Sequence, residues 1–313
     1  MDYSKILNGL KVGVLGGGIS LEREISLLSS KEVISTLERN NINYVFIDIF
    51  TSEKEKVKEL IFENNIDLAF IALHGEFGED GEVQKILEEL GIPYTGSCPL
   101  ASYRAMNKIL SKEIFIKENI QTADYIVCKK NEFPNINKYP VVVKPYFSGS
   151  SIGVFIVFNE YDLKNALRKA FSIQDTVIIE DYIDGKELTV GILEDKPLAI
   201  VEILPKGRYF DFSAKYKDDT TFIAPAKLEK EVYKNVQEIA LRAHEALGCR
   251  HFSRVDIRLS KENIPYVLEV NSIPGLTSHS LLPLSARVCG ISFDELILKM
   301  LILTLNEKEV KKN

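Results

Sequence analysis

The stretch Ser253–Asn271, S-R-V-D-I-R-L-S-K-E-N-I-P-Y-V-L-E-V-N, decides how this chain is read. Ser253–Leu259 and Ile264–Val270 alternate polar and apolar residues, the period of half-buried strands. A turn centred between Glu262 and Asn263 makes them a hairpin, with Asp256 opposite Glu269 and Arg254 opposite Asn271. Side chains alternate faces along a strand, so these four share one face. Val255, Ile257 and Leu259 take the other face, with Tyr266, Leu268 and Val270. The polar face gathers two carboxylates, an amide oxygen and a guanidinium. Oxygen-only donors suit Mg²⁺, which keeps waters and shares substrate phosphates. Arg254 beside such a metal would stabilise phosphate or oxyanion charge. Taken alone, the hairpin also fits a solvated sheet face with cross-strand ion pairs.

Working outward, Val141–Val154 reads V-V-V-K-P-Y-F-S-G-S-S-I-G-V. Lys144 ends an apolar strand, and Ser148–Gly153 is rich in small donors that can wrap phosphate oxygens through backbone N–H groups. A strand follows rather than a helix, and G-K-[ST] is missing, so this is no P-loop. An ordinary hairpin turn has the same composition. After the hairpin comes N-S-I-P-G-L-T-S-H-S-L-L-P, Asn271–Pro283. Ser280 and the amides near Leu281 stand at a helix start, a natural carboxylate site, or a simple serine N-cap.

The first third alternates strand and helix: strands at Lys11–Leu15, Tyr44–Ile49 and Asp67–Leu73, helices at Arg23–Arg39, Glu53–Asn64 and Val83–Leu90. That alternation predicts a parallel sheet whose carboxyl edge meets ligands. Two polar clusters lie there. Val12–Ser26, V-G-V-L-G-G-G-I-S-L-E-R-E-I-S, has glycines that miss G-x-G-x-x-G. Glu22 and Glu24 would repel a pyrophosphate and attract an amine, or simply complement the helix dipole. Leu73–Gly81, L-H-G-E-F-G-E-D-G, sets His74 at the edge among tight turns. Beyond it the pattern predicts one long helix over Ala101–Asn119, strands at Val141–Lys144, Val154–Phe158 and Thr176–Tyr182, strands and loops over Glu187–Ile223, and helices at Glu229–Leu247 and Phe293–Leu305.

Composition narrows the class. The 313 residues are 45% hydrophobic and 27% charged, enough to bury a core in two or three domains. A net charge of −6 argues against a dedicated nucleic-acid binder. Cys98, Cys128, Cys249 and Cys289 form no C-x-x-C pair, which fits reduced thiols in the cytoplasm. The first residues lack a signal-peptide pattern, and no apolar run is long enough to span a membrane.

The five segments, in this order, resemble a D-alanine–D-alanine ligase of the ATP-grasp superfamily. G-G-x-S-x-E-R-E-x-S, H-G-x-x-G-E-D-G and E-x-N-x-x-P-G-x-T-x-x-S carry the likeness, which runs from Lys11 to Phe293. The resemblance implies an N-terminal parallel α/β domain, residues 1–97, followed by a two-part ATP-grasp fold, residues 98–183 and 184–313. It implies ATP-dependent joining of two D-alanines through a D-alanyl phosphate, for peptidoglycan precursor synthesis. On matching positions, Glu22 would bind the first amino group, with His74 beside the substrate. Lys108 and Lys144 would contact ATP phosphates, with Ser151 in the phosphate loop. Glu180, Asp181 and Ile183 would lie at the adenine pocket, and Glu187 at the ribose. Lys215 would reach the γ-phosphate from a closing loop, and Ser150 and Tyr216 would join Glu22 in a hydrogen-bonded triad. Asp256, Glu269 and Asn271 would hold two Mg²⁺ or Mn²⁺ ions. Arg254 would stabilise the tetrahedral intermediate, and Ser280 and Leu281 would bind the second carboxylate. Tyr216 favours D-alanine as second substrate, since relatives making D-alanyl-D-lactate often carry Phe there. A homodimer, with neither nucleic acid nor membrane as partner, is the implied state.

Overall fold

The computed structural model describes residues 3–149, 152–205 and 220–310. Ser150, Ser151, Lys215 and Tyr216 lie outside the described residues. After the short α1 (Tyr3–Leu7), strand β1 (Val12–Gly17) is buried along its whole length. A central strand of a parallel sheet covered on both faces requires such an apolar run. β2 (Tyr44–Ile49) and β3 (Leu68–Ile71) pair with β1 in parallel, one on each side. α2 (Arg23–Arg39) buries Ser26, Ser29, Ser30, Val33 and Leu37, a stripe of three- and four-residue steps. Its hydroxyls also tie it to the sheet edge: Ser26 Oγ donates to the Ala72 carbonyl at 2.8 Å. α3 (Lys54–Glu63) and α4 (Glu82–Glu89) complete this unit.

The single helix expected over 101–119 is two, α5 (Pro99–Met106) and α6 (Lys108–Lys117). Asn107 separates them with extended backbone (φ −85°, ψ 96°). Its side-chain oxygen accepts the Leu110 N–H at 3.1 Å, and its backbone bridges to Phe147. Asparagine is a poor interior helix residue and a good N-cap, and the bridge takes up the backbone groups that the helix gives up.

A second, wholly antiparallel sheet has the order β4 (Tyr125–Lys129), β7 (Thr176–Asp181), β5 (Val141–Pro145), β6 (Phe155–Val157). Strand β4 has no counterpart in the sequence reading. It is an edge strand that buries only Cys128, so it carries no alternation to read. α7 (Glu160–Ala170) covers this sheet with Leu163, Ala166, Leu167 and Ala170, and its N-cap Asn159 accepts the Asp162 N–H.

The third sheet runs β10 (Thr220–Ile223), β9 (Lys196–Pro205), β8 (Gly185–Leu193), β11 (Phe252–Ser260), β12 (Pro265–Asn271). α8 (Lys230–Leu247) packs Val236, Ile239, Ala240, Ala243 and Leu247 onto it. Phe115 and Ile120, on and just past α6, join the same core. α9 (Leu281–Val288) and α10 (Phe293–Val310) close the chain. Leu296, Ile297, Met300 and Leu301 of α10 share a core with Val12, Leu37 and Phe70, so the last helix is stitched to the first sheet. The four cysteines are free thiols, and no described helix is long and apolar enough to cross a membrane.

Candidate active site

The hairpin forms as the sequence requires, with Asp256 opposite Glu269 and Arg254 opposite Asn271. Beyond Asp256 the register slips, and Ile257 pairs with Val267. The expectation that Leu268 and Tyr266 share the apolar face with Val270 is therefore corrected. The bulge adds one residue to β12, so Val267 enters the core beside Val270 and Leu268 turns to the cavity described below.

Asp256 is the best-anchored group of the cluster. Arg254 donates Nε and Nη2 to its two oxygens at 2.9 and 2.8 Å, a bidentate pair. Thr189 Oγ1, from the neighbouring strand, donates at 2.6 Å, and Asn271 Nδ2 at 3.0 Å. That orientation leaves the Asn271 amide oxygen as an acceptor. Burial pulls the Arg254 guanidinium down, but its pairing with Asp256, aided by Glu269 and Glu79, holds it above its ordinary value. Glu269 lies 3.1 Å from Lys108 Nζ, which also donates to the Ser148 carbonyl at 2.5 Å. The helix break at Asn107 makes Lys108 the first residue of α6, facing the loop after β5.

The second sheet supplies the opposite wall. Lys144 Nζ pairs with Glu180 Oε2 at 2.8 Å, and Lys112 Nζ of α6 lies 3.0 Å from Glu180 Oε1. All three groups are buried. Burial works to raise the Glu180 carboxyl, but the two ammoniums more than reverse it, so its pKa is lowered. The sequence reading missed Lys112, because a lysine on an amphipathic helix looks solvated.

A cavity of about 330 Å³ lies between the two walls. Val142, Phe155, Ile183, Ile203 and Leu268 give it apolar surface, while Lys108, Lys144, Arg254, Asp256 and Glu269 give it charge. Glu180, Asp181, Glu187 and Leu281 also line it. Arg258 organises the connection between the sheets. It donates to the Ile183 carbonyl at 3.1 Å, to Glu187 at 3.2 Å and to the Tyr182 hydroxyl at 3.2 Å. The signal for Arg258 was in the sequence: it stands two residues beyond Asp256, hence on the same face.

A smaller cavity of about 20 Å³ shares Lys108, Ser148, Gly149 and Glu269 with the first and adds Glu79 and Asn271. Glu22 is buried just past it, and a Cβ at Gly149 would stand 2.9 Å from its Oε2. A Cβ at Gly75 would stand 2.7 Å from the same atom, at a backbone φ of +72° that disfavours side chains. The two glycines thus cradle one carboxylate. His74 holds this corner to the rest of the site. Its Nδ1 faces the Ile273 carbonyl at 3.2 Å and Glu79 at 3.6 Å, and its Nε2 meets Ser29 Oγ at 3.0 Å. A carbonyl only accepts, so Nδ1 carries a proton.

Ser280 stands at the N-cap of α9, but its hydroxyl bonds Thr277 rather than capping the helix. Gln174, also unforeseen, clamps the start of the phosphate-type loop: it accepts the Phe147 N–H at 3.1 Å and donates to the Phe147 carbonyl at 2.7 Å. Asp48, which a dinucleotide fold would offer to a ribose, is held by Arg23 at 2.7 and 2.8 Å. The donors Asp256, Glu269 and Asn271 are hard oxygens and fit a divalent cation. Among the described residues, no three His, Cys, Asp or Glu groups form a self-sufficient metal site. An ion here needs phosphate and water oxygens to complete its shell.

An apolar slot with a lysine-lined end, set between two antiparallel sheets and beside a carboxylate-bearing hairpin, defines an ATP-grasp ligase. Residues 110–302 match the family described as D-ala D-ala ligase C-terminus, and residues 49–97 its N-terminus counterpart. The chain is 45% identical over 293 residues to the D-alanine–D-alanine ligase of Clostridium botulinum, covering 92% of this chain and 96% of that one. The crystal structure of D-alanine–D-alanine ligase from Bacillus anthracis complexed with ATP superposes at TM-score 0.85 with 38% identity, covering 97% of this chain and 99% of that one. VanG D-Ala:D-Ser ligase from Enterococcus faecalis is more distant, at 30% identity and TM-score 0.79 over 94% of this chain and 99% of that one. The chain belongs to the D-alanine–D-alanine ligase family.

Proposed function

We propose that this chain joins two D-alanines at the expense of ATP, with ATP in the larger cavity and the amino acids between Glu22 and Arg254. The observation that carries the reading is the meeting of Lys108, Lys144, Arg254, Asp256 and Glu269 at one cavity. In the first step a D-alanine carboxylate oxygen attacks the γ-phosphorus, the bond to the β-phosphate oxygen breaks, and ADP leaves. In the second, the amine of the other D-alanine attacks the acyl phosphate carbon, loses a proton, and expels phosphate. Both steps crowd anions, so cationic groups must offset the charge. Lys108 and Lys144 take the phosphates, and Arg254, already desolvated and fixed by Asp256, faces the oxyanion. Asp181 and Ile183 border the adenine, with Glu180 beneath, and Glu187 meets the ribose hydroxyls. Glu22, in its glycine cradle, takes the first ammonium, with His74 fixing the loop beside it. Ser280 and the Leu281 amide at the start of α9 receive the second carboxylate.

Asp256, Glu269 and Asn271 would hold two Mg²⁺ or Mn²⁺ ions, which supply charge neutralisation for the phosphate oxygens. Lys215, Ser150, Ser151 and Tyr216 complete the reading from outside the described residues. Residues 1–97, 98–183 and 184–313 are the three working units, in a cytoplasmic homodimer. A coupled assay for ADP release with D-alanine, D-serine, D-lactate and L-alanine, with products weighed by mass spectrometry, tests it. D-alanyl-D-alanine as the main product is the expected result; ADP release independent of any D-amino acid overturns the reading.

A further inference from the structure

We propose that Lys112, which does not line the nucleotide cavity, is a positioning residue that sets the charge Lys144 presents to the nucleotide, by neutralising Glu180. The inference rests on reading that cavity as the ATP site.

Lys112 is buried on α6 and makes three contacts: Thr122 Oγ1 at 2.7 Å, the Ala123 carbonyl at 2.9 Å and Glu180 Oε1 at 3.0 Å. Thr122 spends its own hydroxyl proton on the Val267 carbonyl at 2.8 Å, so toward Lys112 it accepts. A carbonyl and a carboxylate also accept. Two of the contacts are hydrogen bonds; the third is a buried carboxylate 3.0 Å from Nζ, which favours the ammonium and opposes the lowering of the Lys112 pKa by burial. The ring of Tyr125, 5.4 Å from Nζ, favours a cation as well.

The charge balance follows. Glu180 bridges Lys112 and Lys144, so two ammoniums surround one carboxylate and one unit of positive charge remains. Without Lys112, Glu180 and Lys144 would form a neutral pair, and the field aimed at the phosphates would be largely cancelled. The buried pair is shielded little by solvent, so this cancellation would be felt at the cavity. Asp124, the other nearby carboxylate, is exposed and screened. Glu180 also fixes where the Lys144 ammonium points, a contact that a glutamine amide oxygen can keep without the negative charge.

The test is calorimetric titration of purified full-length variants with MgATP, with melting temperatures and the KM for D-alanine measured in parallel. Lys112→Met is expected to weaken ATP binding about tenfold, about 1.4 kcal/mol, with the D-alanine KM within about twofold. Lys112→Met/Glu180→Gln restores the single positive charge and is expected to recover binding to within about threefold of the parent. A Lys112→Met protein that melts lower yet binds ATP like the parent makes Lys112 a structural residue only and overturns the proposal. A double variant no better than the single one overturns the charge argument. If Lys112→Met does not fold, the double variant and Lys112→Arg decide: both retain ATP binding if the proposal holds, and loss in both contradicts it. Failure of the parent chain to bind ATP would instead refute the reading of the cavity.

Discussion

Two charged clusters face each other across the cavity, and they solve opposite problems. On the hairpin, Asp256 and Glu269 are held by Arg254 and Lys108, and their oxygens stay near the cavity. At the other sheet, Glu180 holds Lys144 of β5 and Lys112 of α6, and one positive charge is left over. The acid-bearing cluster has hard oxygens to offer a cation; the lysine-rich one has charge to offer a phosphate. A bound MgATP would satisfy both. Neither cluster is chiefly a stability device, because buried ion pairs return little more than their desolvation takes.

The hardest test of this division is removal of Arg254. Arg254→Ala should lower turnover by about a hundredfold or more, about 3 kcal/mol of barrier, because the donor proposed to face the oxyanion is lost and the partly buried Asp256 loses its cation. Steady-state ADP release with D-alanine and MgATP reads this. Near-normal release would place the chemistry elsewhere.

A buried titratable group whose nearest carboxylate is exposed sharpens the comparison. Glu180 keeps its charge in the interior because two ammoniums touch it, and its pKa is lowered. His244 gives its charge up: it is buried, Nδ1 meets Ser253 Oγ at 2.7 Å, and the nearest carboxylate, the exposed Asp195, is 3.6 Å from Nε2. Burial lowers its pKa from 6.5 to about 4, with Asp195 opposing and His251 adding a little. The unfolded chain therefore binds the extra proton first. Stability from this group is present above pH 6.5 and falls between pH 6.5 and about 4, by up to about 3 kcal/mol. Urea unfolding across that window should show the parent losing more than His244→Gln. Parallel curves would contradict it.

The smallest effect is expected at Gln174. Gln174→Ala removes both hydrogen bonds that fix Phe147 at the root of the loop beside Lys144. About 1 kcal/mol is at stake, a fivefold rise in the KM for ATP with little change in kcat. A fall in kcat with KM unchanged would mean that the clamp orients reacting groups rather than nucleotide.

The same contrast explains what could be read from the sequence. The hairpin cluster was legible because alternation along strands is strict, so Arg254, Asp256, Glu269 and Asn271 declare a shared face. The bulge that sends Leu268 into the cavity was not, since nothing in V-L-E-V marks the extra residue. The parallel sheet was legible from its apolar runs and their spacing. Strand β4 was not, because an edge strand with one buried residue has no period. The helix break at Asn107 is half legible, since asparagine favours an N-cap, but the bridge to Phe147, forty positions away in the chain, is not a local feature. Lys112 and Glu180 are paired by packing of a helix on a sheet, and single-sequence patterns read charged residues as solvated.

On the proposed function, the hairpin oxygens act on the nucleotide only through a divalent cation, whereas the lysines act on it directly. Calorimetric titration of the parent chain and of Glu269→Gln with ATP, each with and without Mg²⁺, tests this most directly. Mg²⁺ should tighten ATP binding to the parent by about tenfold and do little for the variant, while binding without Mg²⁺ stays similar in the two proteins. A variant that keeps the full response to Mg²⁺ would contradict the account.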